Sequence, residues 1–79
     1  ISDAAEKFDE FDFKIYTDDI YKNLKQVEKV LSKDEIIIKR IKVESDHIRV
    51  KGKILESLNK NRLITGIMKI EGIKEIVEE

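Results

Sequence analysis

The sequence contains no cysteine, which removes disulfide staples and thiolate metal sites and leaves the redox compartment open. No apolar run approaches the length of a membrane span, and no signal-peptide pattern is visible. The chain begins at Ile1, which is compatible with a fragment that has lost a targeting segment. Neither charge is in excess: Lys and Arg number 16 against 17 Asp and Glu, for a formal net charge of −1. No global field therefore draws the chain to nucleic acid or to an anionic membrane. Glycine is scarce, and "VKGKILES" offers a single one where a phosphate loop needs a cluster leading into a helix. No catalytic constellation stands out, and no cofactor is implied.

What is present suits one small folded domain. Hydrophobic residues make up 41% of the 79. That is enough for a folded domain rather than a disordered segment, while the short length leaves the core marginal. From Thr17 onward the pattern is regular. Thr17 or Asp18 can cap a helix, and Ile20, Leu24, Val27 and Leu31 form one apolar stripe, so the spacing predicts a helix over 18–31. "EIIIKRIKVES" reads as a strand with Ile41 and Val43 inward. Ile36, Ile37 and Ile38 break its alternation, as a connector against the helix end or as a strand start buried on both sides. Ser45-Asp46 is a tight turn, and a second strand follows from His47 to Ile54. Ser57 can cap a helix over 58–70 whose apolar face holds Leu63, Ile64, Ile67, Met68 and Ile70. Gly72 ends it, and "IKEIVEE" is a last strand with Ile73 and Ile76 inward.

These elements predict an α+β fold: an αββαβ two-layer sandwich whose small three-stranded mixed sheet is covered by helices on one face. A right-handed crossover through the second helix joins the second and third strands. The expected core comprises Ile20, Leu24, Val27, Leu31, Ile41, Val43, Ile48, Val50, Ile54, Leu63, Ile67, Ile70 and Ile76. Residues 1–16 stay open between two readings. Phe11, Phe13 and Ile15 alternate as a short extra strand would, while Ala4, Ala5 and Phe8 suit a helical turn in a leader. With the extra strand the order becomes βαββαβ, which is ferredoxin-like, a topology that hosts RNA-binding and metal-chaperone modules. "VKGKILES" has no aromatic for RNA stacking and the chain has no Cys pair for a metal.

Gly52 falls where the inward alternation of Ile48, Val50 and Ile54 asks for an apolar side chain. A glycine there lets a helix backbone or a large side chain approach the sheet, and Gly66 can serve the same packing from the helix. Gly52, Gly66 and Gly72 are thus read as structural glycines.

The stretch from 41 to 79 resembles a BON domain. Ile48, Val50, Gly52 and Ile54 match that family's glycine-bearing strand, Gly72, Ile73 and Ile76 match its Gly-Val-x-x-Val ending, and the helix at 18–31 supplies its preceding helix. The match covers 17–79 as one unit, with 1–16 outside it. Two departures are Ser45-Asp46, where Asp-Gly is common, and Gly66, where alanine is usual. The resemblance implies a non-catalytic module of a bacterial envelope protein, on the periplasmic side, attached to phospholipid surfaces or to partner proteins. It also admits a self-assembling, ring-building domain of a secretion or membrane complex, and a cytoplasmic branch linked to potassium.

Residue chemistry adds one candidate surface. Arg40, Lys42, Arg49, Lys51 and Lys53 alternate outward on neighbouring strands and should share the open sheet face. Either they are solvated and answered by Glu44, Glu75 and Glu79, or they bind an anionic membrane or an acidic protein. His47 with Asp46 is too small a set for a metal, and none is assigned. Asp18-Asp19 and Glu78-Glu79 read as helix capping and a solvated end. "FDEFDF", with its interleaved acids, is no platform for nucleic acid.

Overall fold

The computed structural model describes residues 6–79. Six elements follow in the order β1 (Phe8–Thr17), α1 (Ile20–Leu31), β2 (Ile36–Val43), β3 (His47–Leu55), α2 (Lys60–Met68) and β4 (Ile73–Glu78). The four strands form one sheet in the order β2-β3-β1-β4, and every neighbouring pair is antiparallel. The fold is α+β, with the ferredoxin-like βαββαβ arrangement.

The three-stranded mixed sheet is corrected by this arrangement. β3 and β4 do run parallel, joined through α2, but they do not touch along their length. β1 lies between them, antiparallel to both. The reason is volume and hydrogen bonding. Phe11, Phe13 and Ile15 are buried, with Phe11 and Phe13 stacked at 5.0 Å between ring centroids. Three such side chains at period two fill the middle of a small core, and the strand that carries them needs a partner on each side. The strand reading of the N-terminal segment is thus the observed one, starting at Phe8. Ala4 and Ala5 of the alternative helical turn lie outside the described residues.

Most of the expected core is buried or packed against it. Val27, Leu31, Ile48, Val50, Ile54, Leu63 and Ile67 are buried, and Ile20, Leu24, Ile41, Ile70 and Ile76 pack on them. Val43 does not belong: it ends the edge strand β2 and is 36% exposed. Ile36 opens β2 as a buried strand residue, whereas Ile37 points to the other face and is 49% exposed.

The end of α1 at Leu31 is the expected one, and the other three helix ends lie two residues inside the expected ones. Asp19 caps α1, accepting from the Lys22 amide at 3.1 Å, and Thr17 instead serves a buried polar contact. The Asn23 side-chain amide donates to the Thr17 hydroxyl, joining α1 to the end of β1, and both residues are buried. α2 starts after Asn59 rather than Ser57, and it ends at Met68. Gly72 therefore lies beyond the helix, in the turn before β4. It does take the left-handed conformation, at φ 97°. Its amide neighbourhood docks on the start of α1, where the Asp18 amide donates to the Gly72 carbonyl at 3.2 Å.

Gly52 faces the helical layer, opposite Ile38 and beside the bulge between Ile38 and Arg40 in β2. A Cβ there would lie 2.3 Å from the Ile37 carbonyl oxygen and 2.9 Å from the tip of the Phe11 ring. The close approach comes from the neighbouring strand's bulged backbone and from a β1 side chain, not from a helix. Gly66 is different. A Cβ at that position would meet Val30 at an ordinary 3.5 Å, so close packing does not require glycine there.

Candidate functional site

One face of the sheet is covered by the helices and the other is open. On the open face, alternation brings together Glu10, Asp12, Lys14 and Tyr16 of β1, Arg49, Lys51 and Lys53 of β3, Arg40 and Lys42 of β2, and Glu75 of β4. All five expected basic residues therefore share one surface. β1 places carboxylates among them, because in its register Asp12 stands opposite Lys51 and Glu10 opposite Lys53.

The pairing is uneven across the face. Arg49 makes a two-pronged contact with Asp12, its Nε at 3.1 Å and its Nη2 at 2.8 Å from the two carboxylate oxygens. That hydrogen-bonded fork holds the Asp12 carboxyl below the usual aspartate range and raises Arg49. Lys39, at the bulge, reaches Glu10 at 3.0 Å and lowers its carboxyl in the same way. Lys14 pairs with Glu79 at 2.7 Å and Lys42 with Glu44 at 3.2 Å. Lys51 stands 3.9 Å from the already occupied Asp12. Among the described residues, Arg40 and Lys53 have no ion-pair partner. Of the three acids expected to answer the stripe, Glu44 and Glu79 do pair with cations of this face, while Glu75 does not.

The cross-strand register sharpens this asymmetry. Arg40 stands opposite Lys51, and Lys42 opposite Arg49. Like charges directly across a ladder repel. Asp12 and Glu44 relieve the second pair. The first is relieved only through the long 3.9 Å contact of Lys51 with Asp12, which Arg49 already holds, and Lys53 lies two residues along the same strand.

His47 lies at the end of this face, its Nδ1 2.8 Å from Asp46 and its ring 5.1 Å from that of Tyr16. Among the described residues no group of three or more His, Cys, Asp or Glu side chains is placed to hold a metal ion. On the opposite side, Lys60 at the start of α2 bonds Glu78 at 2.7 Å, which raises the lysine, and it also donates to the Glu10 carbonyl where β4 stops. Between the helices, Val30, Ile36, Leu58 and Leu63 floor a half-open cleft of about 450 Å3, rimmed by Lys33, Arg62 and Lys69. Among the described residues no helix is long and apolar enough to cross a membrane.

Sequence reasoning missed Glu10 and Asp12 as members of the site. The signal was available in "FDEFDF", where the acids alternate with core aromatics and must face the other way. No protein-family model matches this chain, and no curated protein matches it in sequence.

Proposed function

We propose that this domain is a non-catalytic binding module that holds an anionic surface against the β2–β3 half of its open sheet face. The observation behind this reading is the Arg40–Lys51 cross-strand pair flanked by Lys53, a cluster of like charge without a full complement of acids. Such an arrangement costs a free sheet stability, and an external anion relieves it. Phospholipid headgroups, or an acidic patch on a partner protein, supply that anion. The likeness to BON domains favours the bacterial envelope, on its periplasmic side, as the setting. An acid–base enzyme is the weaker reading, since Glu10 and Asp12 are both held in the ionised form by their cations and neither is poised to give up a proton near neutrality. Nucleic acid is also a weaker partner, because Tyr16 and the neighbouring His47 ring lie together at one end of this face, with no aromatic between the cations from Arg49 to Lys53.

Each basic residue close to an anionic bilayer contributes about 1 kcal/mol, so the attachment is weak and cumulative. It is also screened over a Debye length of about 8 Å at physiological ionic strength. Co-sedimentation with anionic phospholipid vesicles tests it. The wild type should pellet with vesicles at low salt and be released as salt rises, and a Lys51→Glu, Lys53→Glu variant should stay in solution. Equal pelleting of the two proteins would remove this face from the account.

A further inference from the structure

The two edges of the sheet carry opposite charge. β2, at one edge, has Lys39, Arg40 and Lys42 and no acid. β4, at the other, has Glu75 and Glu78 against the single Lys74. Two of the exposed large hydrophobic residues, Ile37 and Val43, also lie on β2. We propose that the β2 edge of one copy pairs with the β4 edge of the next, so that the domain assembles head to tail into a continuous sheet.

The strand directions allow this without rearrangement. β2 runs parallel to β1, since each is antiparallel to β3, and β4 runs antiparallel to β1. A second copy set beside the first in the same orientation therefore brings its β4 antiparallel to the first copy's β2. The helices of both copies then cover the same face. One register sets Ile37 beside Val77, Ile38 beside Ile76 and Arg40 beside Glu75. Arg40 and Glu75 are exposed, and among the described residues each lacks an ion-pair partner within its own chain. Pairing like edges is disfavoured instead: two β2 strands would bring together two Arg40 side chains without an acid of their own, while Lys39 and Lys42 are already held by Glu10 and Glu44. The contact is heterologous, so it continues from copy to copy into a ring or a filament rather than stopping at two. It does not depend on vesicle binding by the sheet face.

Sedimentation velocity over a concentration series tests the inference on the lipid-free protein, with circular dichroism to show that each variant is folded. The wild type should associate beyond the dimer as concentration rises, and less so in salt. Arg40→Glu with Lys42→Glu on one protein, or Glu75→Lys on another, should each weaken association by about tenfold, because attraction across the ladder becomes repulsion. An equimolar mixture of the two variants should recover it, since each reversed edge then meets its complement. A wild type that stays monomeric up to its solubility limit, an association that stops at the dimer, or a mixture no more associated than its components would each overturn the proposal.

Discussion

Gly52 and Gly66 look alike in the sequence, each a glycine among apolar neighbours, yet they do different work. At Gly52 the obstacle to a side chain is backbone, the Ile37 carbonyl held by the β2 bulge, and backbone in a ladder cannot step aside. Gly52→Ala should destabilise by about 1–3 kcal/mol, the usual range for overpacking. At Gly66 the obstacle is absent, and the helix gains from losing a glycine. Gly66→Ala should be neutral or stabilising, by up to about 1 kcal/mol. Urea titrations of both variants check the contrast, and a costly Gly66→Ala would restore that position as a packing glycine. The sequence alone announced that Gly52 was special, because it interrupts a strict alternation. It did not show what crowds it, since the bulge between Ile38 and Arg40 depends on pairing between strands. Asn23 was more legible than it was read to be. It falls three residues after Ile20 and four before Val27, on the apolar stripe itself, where a polar side chain must find a partner.

Among the elements, β1 matters most to both fold and surface. Its odd-numbered residues Phe11, Phe13 and Ile15 enter the core, and its even-numbered Glu10 and Asp12 neutralise part of the basic stripe. The alternation of Phe11, Phe13 and Ile15 was visible in the chain. The place of the strand was not, because insertion between β3 and β4 rests on contacts with residues more than 30 positions away, which no local pattern encodes. The helices were legible in full apart from their ends, since an apolar stripe depends only on neighbours within the helix. The Asp12–Arg49 pair gives β1 a dependence on pH with a definite sign. The Asp12 carboxyl is lowered in the folded state, so its contribution is present above the ordinary carboxylate range and is lost as pH falls through the lowered folded value. Asp12→Asn should therefore be less stable than the wild type near neutrality, with the gap closing as pH falls below about 4. Thermal melts across that range check it, and a gap that widens toward acid would contradict the sign.

At the scale of the whole molecule, a small sheet has one face spent on the core and keeps one face and two edges for partners. The proposed functions use both: an anionic surface on the β2–β3 half of the face and a second copy along the edges, with Arg40 common to the two. Both rest on β1 being the middle of the sheet, because the strand sets the charge of the face and moves β4 out to the far edge. Native-state amide hydrogen exchange, read residue by residue, tests that claim most directly. β1 in the middle predicts that the amides of Phe13 and Ile15 are as slow as that of Val50 in β3, and that all three open together in the global unfolding event. Fast exchange at Phe13 and Ile15, while Val50 stays protected, would show that β1 detaches as a leader and would contradict the account.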